Sequence, residues 1–288
     1  MAHPSLRLAH NAPGDFFVDS TCIDCDTCRW MAPDTFLRRE GQASVARQPA
    51  TLDELRAAER ALLSCPTASI GTVEKHDLAA ARASLPLEVE DGVHHCGYHA
   101  ESSFGAASYL IVRAAGNVLV DSPRYTRGLA DRLEALGGVD LLFLTHRDDV
   151  ADHARWRERF GCERVLHADD RRAGTADVEH FLHGRDPVQW DDELRMLPTP
   201  GHTEGSTCLS YRGRFLFTGD HLAWSRELGH LYGFRTACWY SWPELVRSTA
   251  SLLDEPFEWV LPGHGRRAHL APGTSRAELE RALAWMRS

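Results

Sequence analysis

Three cysteines, Cys22, Cys25 and Cys28, stand at intervals of three in the stretch STCIDCDTC, and a fourth, Cys65, follows directly before a proline. In a reducing compartment, a tight group of this kind indicates a metal site more readily than a disulfide framework. A single zinc ion commonly uses two Cys-x2-Cys pairs, so a triplet with a distant Cys-Pro favours a larger, cube-shaped iron–sulfur cluster. A zinc site or unrelated thiols are the alternatives. The spacing thus predicts that residues 14–75 fold around one centre.

The same stretch resembles the bacterial ferredoxins, in which the triplet is followed by x3-Cys-Pro. Here that position is Ala32-Pro33, so the cysteine that would serve a second cluster is missing. The resemblance implies a ferredoxin-like α+β domain with a single [4Fe–4S] cluster, whose ligands would be Cys22, Cys25, Cys28 and Cys65. The other four cysteines are interpreted as small buried hydrophobes: Cys96, Cys162, Cys208 and Cys238.

The rest of the chain shows a different organisation. Residues 1–13 are predicted to be a loose tail, and residues 76–87 a linker. From 88 to 288, apolar runs such as DLLFLTH and FEWVLPGHG alternate with helical segments such as RGLADRLEALGG. This alternation, together with a Gly-containing hairpin at 212–214, predicts a layered α/β domain. Polar motifs stand where the strands end, which is where α/β proteins place chemistry.

Four such motifs follow one another in order: THRDDVADH, TPGHTEGS, FTGDHLAW and LPGHG. With the strand-end LVDSP they resemble the metallo-β-lactamase superfamily across residues 88–288. The resemblance implies an αββα sandwich with two divalent metals, for which imidazoles and carboxylates suit Zn or Fe, with Mn as a further option. The first metal would be bound by His146, Asp148 and His202. The second would be bound by Asp152, His153 and His264, with Asp220 as the bridge between the two, and Asp152 and Asp220 would be catalytic.

The first of these motifs departs from the superfamily pattern His-x-His-x-Asp-His, because it reads His-x-Asp-Asp-x-x-Asp-His. The second-histidine position falls on Asp148, and the pair Asp152-His153 comes two residues late. A two-residue bulge would restore both ends; without it, the protein would hold one metal. We favour Asp148 over Asp149, because alternate residues of an extended segment share a face. Flavodiiron proteins carry Glu at this position, and an oxygen ligand there favours iron or manganese.

Three other features are interpreted without a role at the metals. The segment HHCGYHAESS contains His94, His95 and His99, but it corresponds to no ligand position of the superfamily, so we interpret it as structural. Asp169 and Asp170 are interpreted as solvated surface charges. The aromatic residues of CWYSW are expected to line a pocket or to cover the core.

The composition narrows the choice of partners and compartment. Lys+Arg 32 against Asp+Glu 41 gives 32 − 41 = −9, which argues against a nucleic-acid partner. No apolar run approaches the roughly 18 residues of a membrane helix, and the start MAHPSLRLAHNAPGD lacks an apolar signal region. We therefore expect a cytoplasmic protein with a small-molecule substrate and no membrane partner. The sequence does not indicate an oligomeric state.

Two enzymatic functions and one binding function follow from these features. The metallo-β-lactamase resemblance favours a hydrolase of a small ester, thioester or lactone, in which two adjacent cations lower the pKa of a bridging water to give a metal-bound hydroxide. The alternative is an oxidoreductase in which the cluster passes electrons to a binuclear iron site, with a redox partner protein at the ferredoxin domain. The third possibility is a non-enzymatic, redox-responsive binding protein, and only the two-residue insertion supports it.

Overall fold

The structure, a computed structural model, describes residues 2–288; Met1, part of the predicted tail, lies outside the described residues. The chain divides into two compact units. The first comprises the chain up to Asp140 together with Ala151–Cys162, and the second comprises Leu141–Val150 and Glu163–Ser288. Among residues 2–288, no helix has the length and apolar character needed to cross a membrane.

The first unit contains the cysteine cluster and a small antiparallel sheet. Its strands are β1 (Phe16–Val18), β2 (Phe36–Arg39), β3 (Gln42–Val45), β4 (Ile70–Thr72), β5 (Leu87–Glu90), β6 (Val93–His95), β7 (Tyr109–Ile111) and β8 (Val118–Val120). Its α-helices are α1 (Thr27–Met31), α2 (Leu52–Ser64), α3 (Ala79–Ala83), α4 (Arg127–Ala135) and α5 (His153–Phe160). Strand β1 pairs with β4 and β2 with β3, whereas β5 to β8 pair antiparallel in chain order.

Helix α2 forms over the segment LDELRAAERALLS, directly after Thr51. The Thr51 side chain accepts a hydrogen bond from Glu54 N (3.2 Å) and caps the first turn. The Glu54 carboxylate accepts in turn from Ala50 N (2.8 Å), the residue before the cap. The helix packs onto a core that includes Phe16, Val45 and the two cluster cysteines Cys28 and Cys65. Burial of this core holds the cysteine loop against the helix.

The described part of the predicted tail, residues 2–13, contains a residue, Asn11, that is hydrogen-bonded into the fold. Asn11 is buried, and its side-chain oxygen accepts hydrogen bonds from Val18 N (3.1 Å) and Val45 N (3.0 Å). Its amide group donates to the carbonyl of Val18 (2.8 Å). One side chain thus satisfies backbone groups of β1 and β3 that would otherwise be buried without partners. Because the pairing is tertiary, local composition gave no signal for it.

The predicted linker, residues 76–87, contains helix α3 and is bound at its start to the ferredoxin-like part. His76 Nε2 lies 2.6 Å from Asp15 Oδ2, and His76 Nδ1 lies 3.2 Å from Glu59 Oε1. The domain boundaries at 75 and 88 stay predictions.

The second unit contains a parallel three-stranded group and a six-stranded sheet. Its strands are β9 (Leu141–Phe143), β10 (Glu163–His167), β11 (His180–Leu182), β12 (Val188–Gln189), β13 (Leu194–Pro198), β14 (Thr207–Tyr211), β15 (Phe215–Gly219), β16 (Ala223–Ser225), β17 (His230–Tyr232), β18 (Trp259–Pro262) and β19 (Ala268–His269). Its α-helices are α6 (Trp242–Ser251) and α7 (Ser275–Met286). Strands β9, β10 and β11 are parallel, and β12-β13-β14-β15-β18-β19 is the order of the larger sheet.

The topology of the second unit brings strand ends together. Strands β15 and β18 are parallel, as are β9 and β10, so the carboxyl ends of each pair meet at one edge. Helices α6 and α7 cover the larger sheet through an apolar core that includes Leu216, Val260, Leu245 and Leu279. Cys96, Cys162 and Cys208 are buried as predicted, whereas Cys238 is only half-buried.

Candidate metal centre and cluster loop

Four elements of the second unit deliver polar side chains to one place. His146 follows β9, His202 follows β13, Asp220 follows β15 and His264 follows β18. His146 and His202 are almost fully buried, with 1% and 2% of their surfaces exposed. Burial of histidines at strand ends, away from the apolar core, indicates a built site rather than a packing accident.

Asp220 lies at the middle of this group. Its Oδ2 is 3.9 Å from His146 Nε2 and 3.6 Å from His202 Nε2. Its Oδ1 is 2.8 Å from His264 Nδ1 and accepts from the backbone N–H of His264 at 3.1 Å. One carboxylate thus faces three imidazoles, as a bridging ligand would.

The two buried imidazoles present their Nε2 atoms to the site. His202 Nδ1 is 2.6 Å from the carbonyl oxygen of Ala237, which can only accept, so Nδ1 carries the hydrogen and Nε2 carries the lone pair. His146 Nδ1 is held by Thr145 Oγ1 at 2.9 Å. Both Nε2 atoms are buried and, among residues 2–288, have no hydrogen-bond partner. Neutral imidazoles oriented through their other nitrogen fit a divalent metal ion.

The charges of the site favour the same state. Burial, helped by the neighbouring His202, lowers the pKa of His146 to about 4, so this ring is neutral at physiological pH. Burial would raise the pKa of Asp220, but the facing His264, His146 and His202 hold it well below its ordinary value. The facing ring of His202, whose Nε2 is 3.5 Å from Asp148 Oδ2, likewise lowers the pKa of Asp148. Neutral imidazoles and ionised carboxylates are the protonation states in which these groups bind metal.

Both aspartates that follow His146 face this group. Asp148 Oδ2 is 3.5 Å from His202 Nε2, and Asp149 Oδ2 is 3.9 Å from His146 Nε2. Asp148 is half exposed, whereas Asp149 is buried. The segment after β9 is a turn rather than an extended strand, so the alternation rule used to prefer Asp148 does not apply to it. Asp148 stays a prediction, with Asp149 as a second carboxylate in reach.

Glycine permits the close approach of the strand ends. A Cβ atom at Gly263 would lie 2.7 Å from Asp149 Oδ2 and 3.1 Å from Asp220 Oδ1. A side chain there would fill the space between the two carboxylates. The site therefore explains why a glycine, Gly263, stands directly before His264.

The other two predicted ligands, Asp152 and His153, belong to the first unit. Asp152 precedes α5 in a left-handed conformation (φ 51°), and its Oδ2 accepts from Tyr125 N at 2.8 Å. His153 is buried. Their roles as ligands of a second metal, and the catalytic role of Asp152, stay predictions.

Asp170 is a residue that the sequence interpretation missed. It is fully buried rather than a surface charge, and it follows β10, next to the end of β9. Its carboxylate accepts from Arg147 N (3.0 Å), Thr203 Oγ1 (2.5 Å) and Gly205 N (3.1 Å). It therefore joins the loop after His146 to the loop after His202. Its position at a strand exit, on the edge where His146 lies, is the signal that could have identified it.

The four predicted cluster cysteines surround one small cavity in the first unit, with Val18, Ile23 and Ile70 among its apolar neighbours. Backbone N–H groups donate to two of the sulfurs, from Ala43 to Cys22 (3.4 Å) and from Ser69 to Cys65 (3.2 Å). Burial raises the pKa of the Cys25 thiol to about 11, so these sulfurs need a bound cation to ionise. All four are free thiols.

The spacing of the sulfurs fits a cluster better than one ion. Among residues 2–288, three potential ligand atoms lie within 4.8 Å of one another only in groups that include His146. No three of the described cysteine sulfurs lie that close together. A zinc–sulfur distance of about 2.3 Å would draw four sulfurs closer than this. The cavity and the N–H donors therefore fit an iron–sulfur cube.

Comparison with known proteins covers both parts of the chain. Residues 18–72 match the family described as 4Fe-4S single cluster domain of Ferredoxin I. A hydroxyacylglutathione hydrolase of Anaeromyxobacter dehalogenans (strain 2CP-C) is 36% identical over 129 residues, which are 42% of this chain and 49% of that protein. The uncharacterized protein YmaE of Bacillus subtilis (strain 168) is 26% identical over 170 residues, 56% of this chain and 60% of that protein. The chain thus spans about half the length of the curated relatives it matches.

Solved structures show the fold of the larger part. The BLEG-1 B3 metallo-β-lactamase is similar with a TM-score of 0.54 and 17% identity, over 68% of this chain and 100% of that chain. The DIM-1 metallo-β-lactamase is similar with a TM-score of 0.51 and 16% identity, over 69% of this chain and 95% of that chain. The chain therefore carries a single-cluster [4Fe–4S] ferredoxin domain at residues 18–72 and has the metallo-β-lactamase fold in its larger part.

Proposed function

We propose that the protein is a metal-dependent hydrolase of small thioesters or related esters and lactones. The observation that carries the proposal is the convergence of His146, His202, Asp220 and His264, with two buried imidazole nitrogens that have no hydrogen-bond partner among residues 2–288. Such a group is costly to bury unless a cation binds it. The hydroxyacylglutathione hydrolase relatives, named for a thioester substrate, support the choice of substrate class.

Each residue has a defined task in this proposal. His146, His202 and Asp148 would hold a first metal, and His264 would bind a second. Asp220 would bridge the two, because its two oxygens face different imidazoles. The metals, when bound, supply Lewis-acid activation of water and substrate. Asp170 and the carbonyl of Ala237 keep the ligands oriented.

An exposed aromatic residue offers a surface for the substrate beside these ligands. The Trp239 side chain is 62% exposed, and its ring lies 6.2 Å from the ring of His202. The backbone N–H groups of Trp239 and Tyr240 donate to the carbonyl of His202 (2.9 and 3.0 Å), which fixes the loop against the site. Of the aromatic residues in CWYSW, which were expected to line a pocket or cover the core, we propose that Trp239 lines the substrate pocket.

One observation favours a second candidate, an oxidoreductase fed by the cluster. An open pocket of the first unit is lined both by Pro66, which follows the cluster ligand Cys65, and by Asp152, the predicted metal ligand. The carboxylates of Asp148 and Asp149 also favour iron or manganese over zinc in the second unit. In this case a redox partner protein would bind at the ferredoxin domain.

The deciding experiment measures metals and turnover on the same sample. Protein purified without oxygen would be analysed for iron, zinc, manganese and acid-labile sulfide, and assayed with an ester, a thioester and a lactone with the cluster oxidised and reduced. About four irons and four sulfides with about two zincs, and thioester hydrolysis in both redox states, would support the hydrolase. About six irons with four sulfides, and no hydrolysis, would support the oxidoreductase.

Two paired variants test the ligand assignment. Asp148→Ala should lower the second-unit metal content and turnover more than Asp149→Ala, if Asp148 is the ligand. The reverse order would assign the role to Asp149, and an unchanged metal content in both variants would contradict a ligand in this turn. Asp169→Ala is the matched control, because Asp169 is an exposed aspartate of the same unit.

A further inference from the structure

Two buried histidines of the first unit lie beside the cluster loop. His95 and His99, interpreted from the sequence as structural, are 0% and 1% exposed. Their Nε2 atoms are 2.9 Å apart, and Trp30 packs its ring edge against His95 with centroids 5.0 Å apart. The other end of His99 faces Thr27, which stands between the cluster ligands Cys25 and Cys28. The pair is thus connected to the cluster loop rather than isolated in the core.

The hydrogen on His99 can be placed from its partners. His99 Nδ1 is 2.7 Å from the carbonyl oxygen of Gly105 and 3.0 Å from Thr27 Oγ1. A carbonyl oxygen only accepts, so Nδ1 must carry a hydrogen. In the neutral ring Nε2 is then an acceptor, and it accepts from His95 Nε2. Because Nδ1 donates, the Thr27 hydroxyl has no acceptor on His99 and must send its own hydrogen elsewhere.

Two acceptors remain for the Thr27 hydroxyl, the Gly105 carbonyl and Cys25 Sγ, each at 3.3 Å. The carbonyl already accepts the shorter bond from His99. When Cys25 binds iron it is a thiolate, which only accepts, so Thr27 donates to the sulfur. Gly105 permits this close contact, since a Cβ atom there would lie 2.9 Å from Cys25 Sγ. The donors of His95, His99 and Thr27 therefore follow one another toward the cluster.

We propose that His99 is a positioning residue that, through Thr27, directs a hydrogen bond to the Cys25 sulfur of the bound cluster and thereby raises its reduction potential. Hydrogen bonds to cluster sulfurs stabilise the more negative, reduced state and are among the factors that set the potential. The inference concerns the ferredoxin domain and does not depend on the hydrolase proposal. A change in second-unit metal content would leave it untouched.

The test is a potentiometric titration of the whole chain with its cluster, followed by the EPR signal of the reduced state. Thr27→Val removes the hydroxyl and keeps the shape of the side chain. It should lower the equilibrium constant for one-electron reduction of the cluster by about tenfold, which corresponds to a midpoint potential about 59 mV more negative. His99→Leu should shift it in the same direction by less, because the hydroxyl is present but free to turn to Gly105. Thr27→Ser and His99→Asn keep the donors and should stay near the unchanged protein.

The decisive measurement is the double variant. If His99 acts through Thr27, adding His99→Leu to Thr27→Val should cause no further shift. Additive shifts would overturn the proposal, and so would an unchanged potential in Thr27→Val. His94→Leu is the matched control, because His94 neighbours His95 but faces the carbonyl of Gly92 (2.9 Å). Iron and sulfide are measured in every variant, with Thr27→Ala as a second hydroxyl-free form. Cluster loss in both hydroxyl-free forms, with retention in Thr27→Ser, would also contradict a role limited to the potential.

Discussion

The four cysteines predicted to bind the cluster come from one stretch, residues 22–65 of the first unit, whereas the predicted ligands around His146 come from the ends of four strands in the second unit. Two of the predicted cluster sulfurs accept hydrogen bonds from backbone N–H groups: that of Cys65 from Ser69, four residues on, and that of Cys22 from Ala43, 21 residues on. The predicted metal ligands are oriented by the Asp170 side chain, which joins the loops after His146 and His202, and by the carbonyl of Ala237. The predicted cluster site thus takes its ligands from one stretch, although His99 and Gly105 from outside it contact Thr27 and Cys25. The candidate metal site takes its ligands from several strands of the sheet.

Replacing one predicted cluster ligand tests whether the two centres are independent, and its effect should be the largest. Cys65→Ser should abolish the cluster, because serine replaces a thiolate ligand that the fold presents between Pro66 and the end of α2. The visible absorption, about four irons and about four sulfides should be lost, while the second-unit metals stay bound. Metal analysis on oxygen-free protein checks this. Loss of both sets of metals together would show that the two centres are coupled.

Asp220→Asn should remove both second-unit metals at once. Its carboxylate faces His146, His202 and His264, and an amide can neither bridge two cations nor balance their charge. The metal content should fall to near zero, and kcat/KM for a thioester should fall by more than about 100-fold, beyond the range of a residue that only supports a ligand. Loss of only one metal would contradict the bridging role. Asp254→Asn, at an exposed carboxylate, is the control for loss of one negative charge.

Asp170→Asn should have an intermediate effect, because Asp170 touches the loops and not the metal. An asparagine keeps one acceptor oxygen but presents an NH2 group to the donors of Arg147, Thr203 or Gly205. We expect metal affinity to fall by about 10- to 100-fold and stability by about 1–3 kcal/mol. A competition titration with a chelator measures the first quantity and denaturant unfolding of the metal-free protein the second. An affinity equal to that of Asp169→Asn would show that the two loops hold their geometry without Asp170.

The elements were predictable where a repeated pattern or a known motif extended over several residues. The helix at α2, the hairpin between β14 and β15 and the strand ends at His202, Asp220 and His264 follow from local pattern and resemblance. The cysteine ligands follow from spacing, because one loop supplies three of them. These features are encoded locally.

The features that sequence did not predict depend on distant contacts. Asn11 is buried because β1 and β3 present unpaired backbone groups to it. Asp170 is buried because two loops supply its donors, although its neighbours Asp169 and Arg171 are exposed or half-exposed. The turn after His146 orients two adjacent aspartates toward the site. In a regular strand or helix, adjacent side chains point in different directions, so no such pattern predicts this arrangement. His99 is hydrogen-bonded to the carbonyl of Gly105 because the loop ending at Gly105 lies against Cys25.

The smallest expected effect concerns an ionic contact of the first unit that involves no metal. Burial would lower the pKa of His76, but its hydrogen bonds to Asp15 and Glu59 raise the pKa above its ordinary value of 6.5. A group whose pKa is raised by folding contributes stability that is complete below the unfolded-state pKa and is lost as the pH rises through the folded-state pKa. His76→Gln should therefore lower the temperature at which the cluster bleaches at about pH 6, and should leave it unchanged at about pH 9. Because the ring is partly exposed to solvent, we expect less than about 1 kcal/mol.

The pH dependence expected for His76→Gln has a matched control at another histidine of the first unit. His94→Gln, at a ring that faces a backbone carbonyl instead of carboxylates, should show no such pH dependence. A His76→Gln effect that is equal at both pH values would mean that the ring acts through packing against Phe16, whose ring centroid is 5.2 Å away, and not through its charge. Thioester turnover, measured on the same samples, should be unaffected at either pH. A matching loss of turnover would mean that loosening the contact of residues 15, 59 and 76 reaches the second unit. The two centres could then no longer be treated as independent.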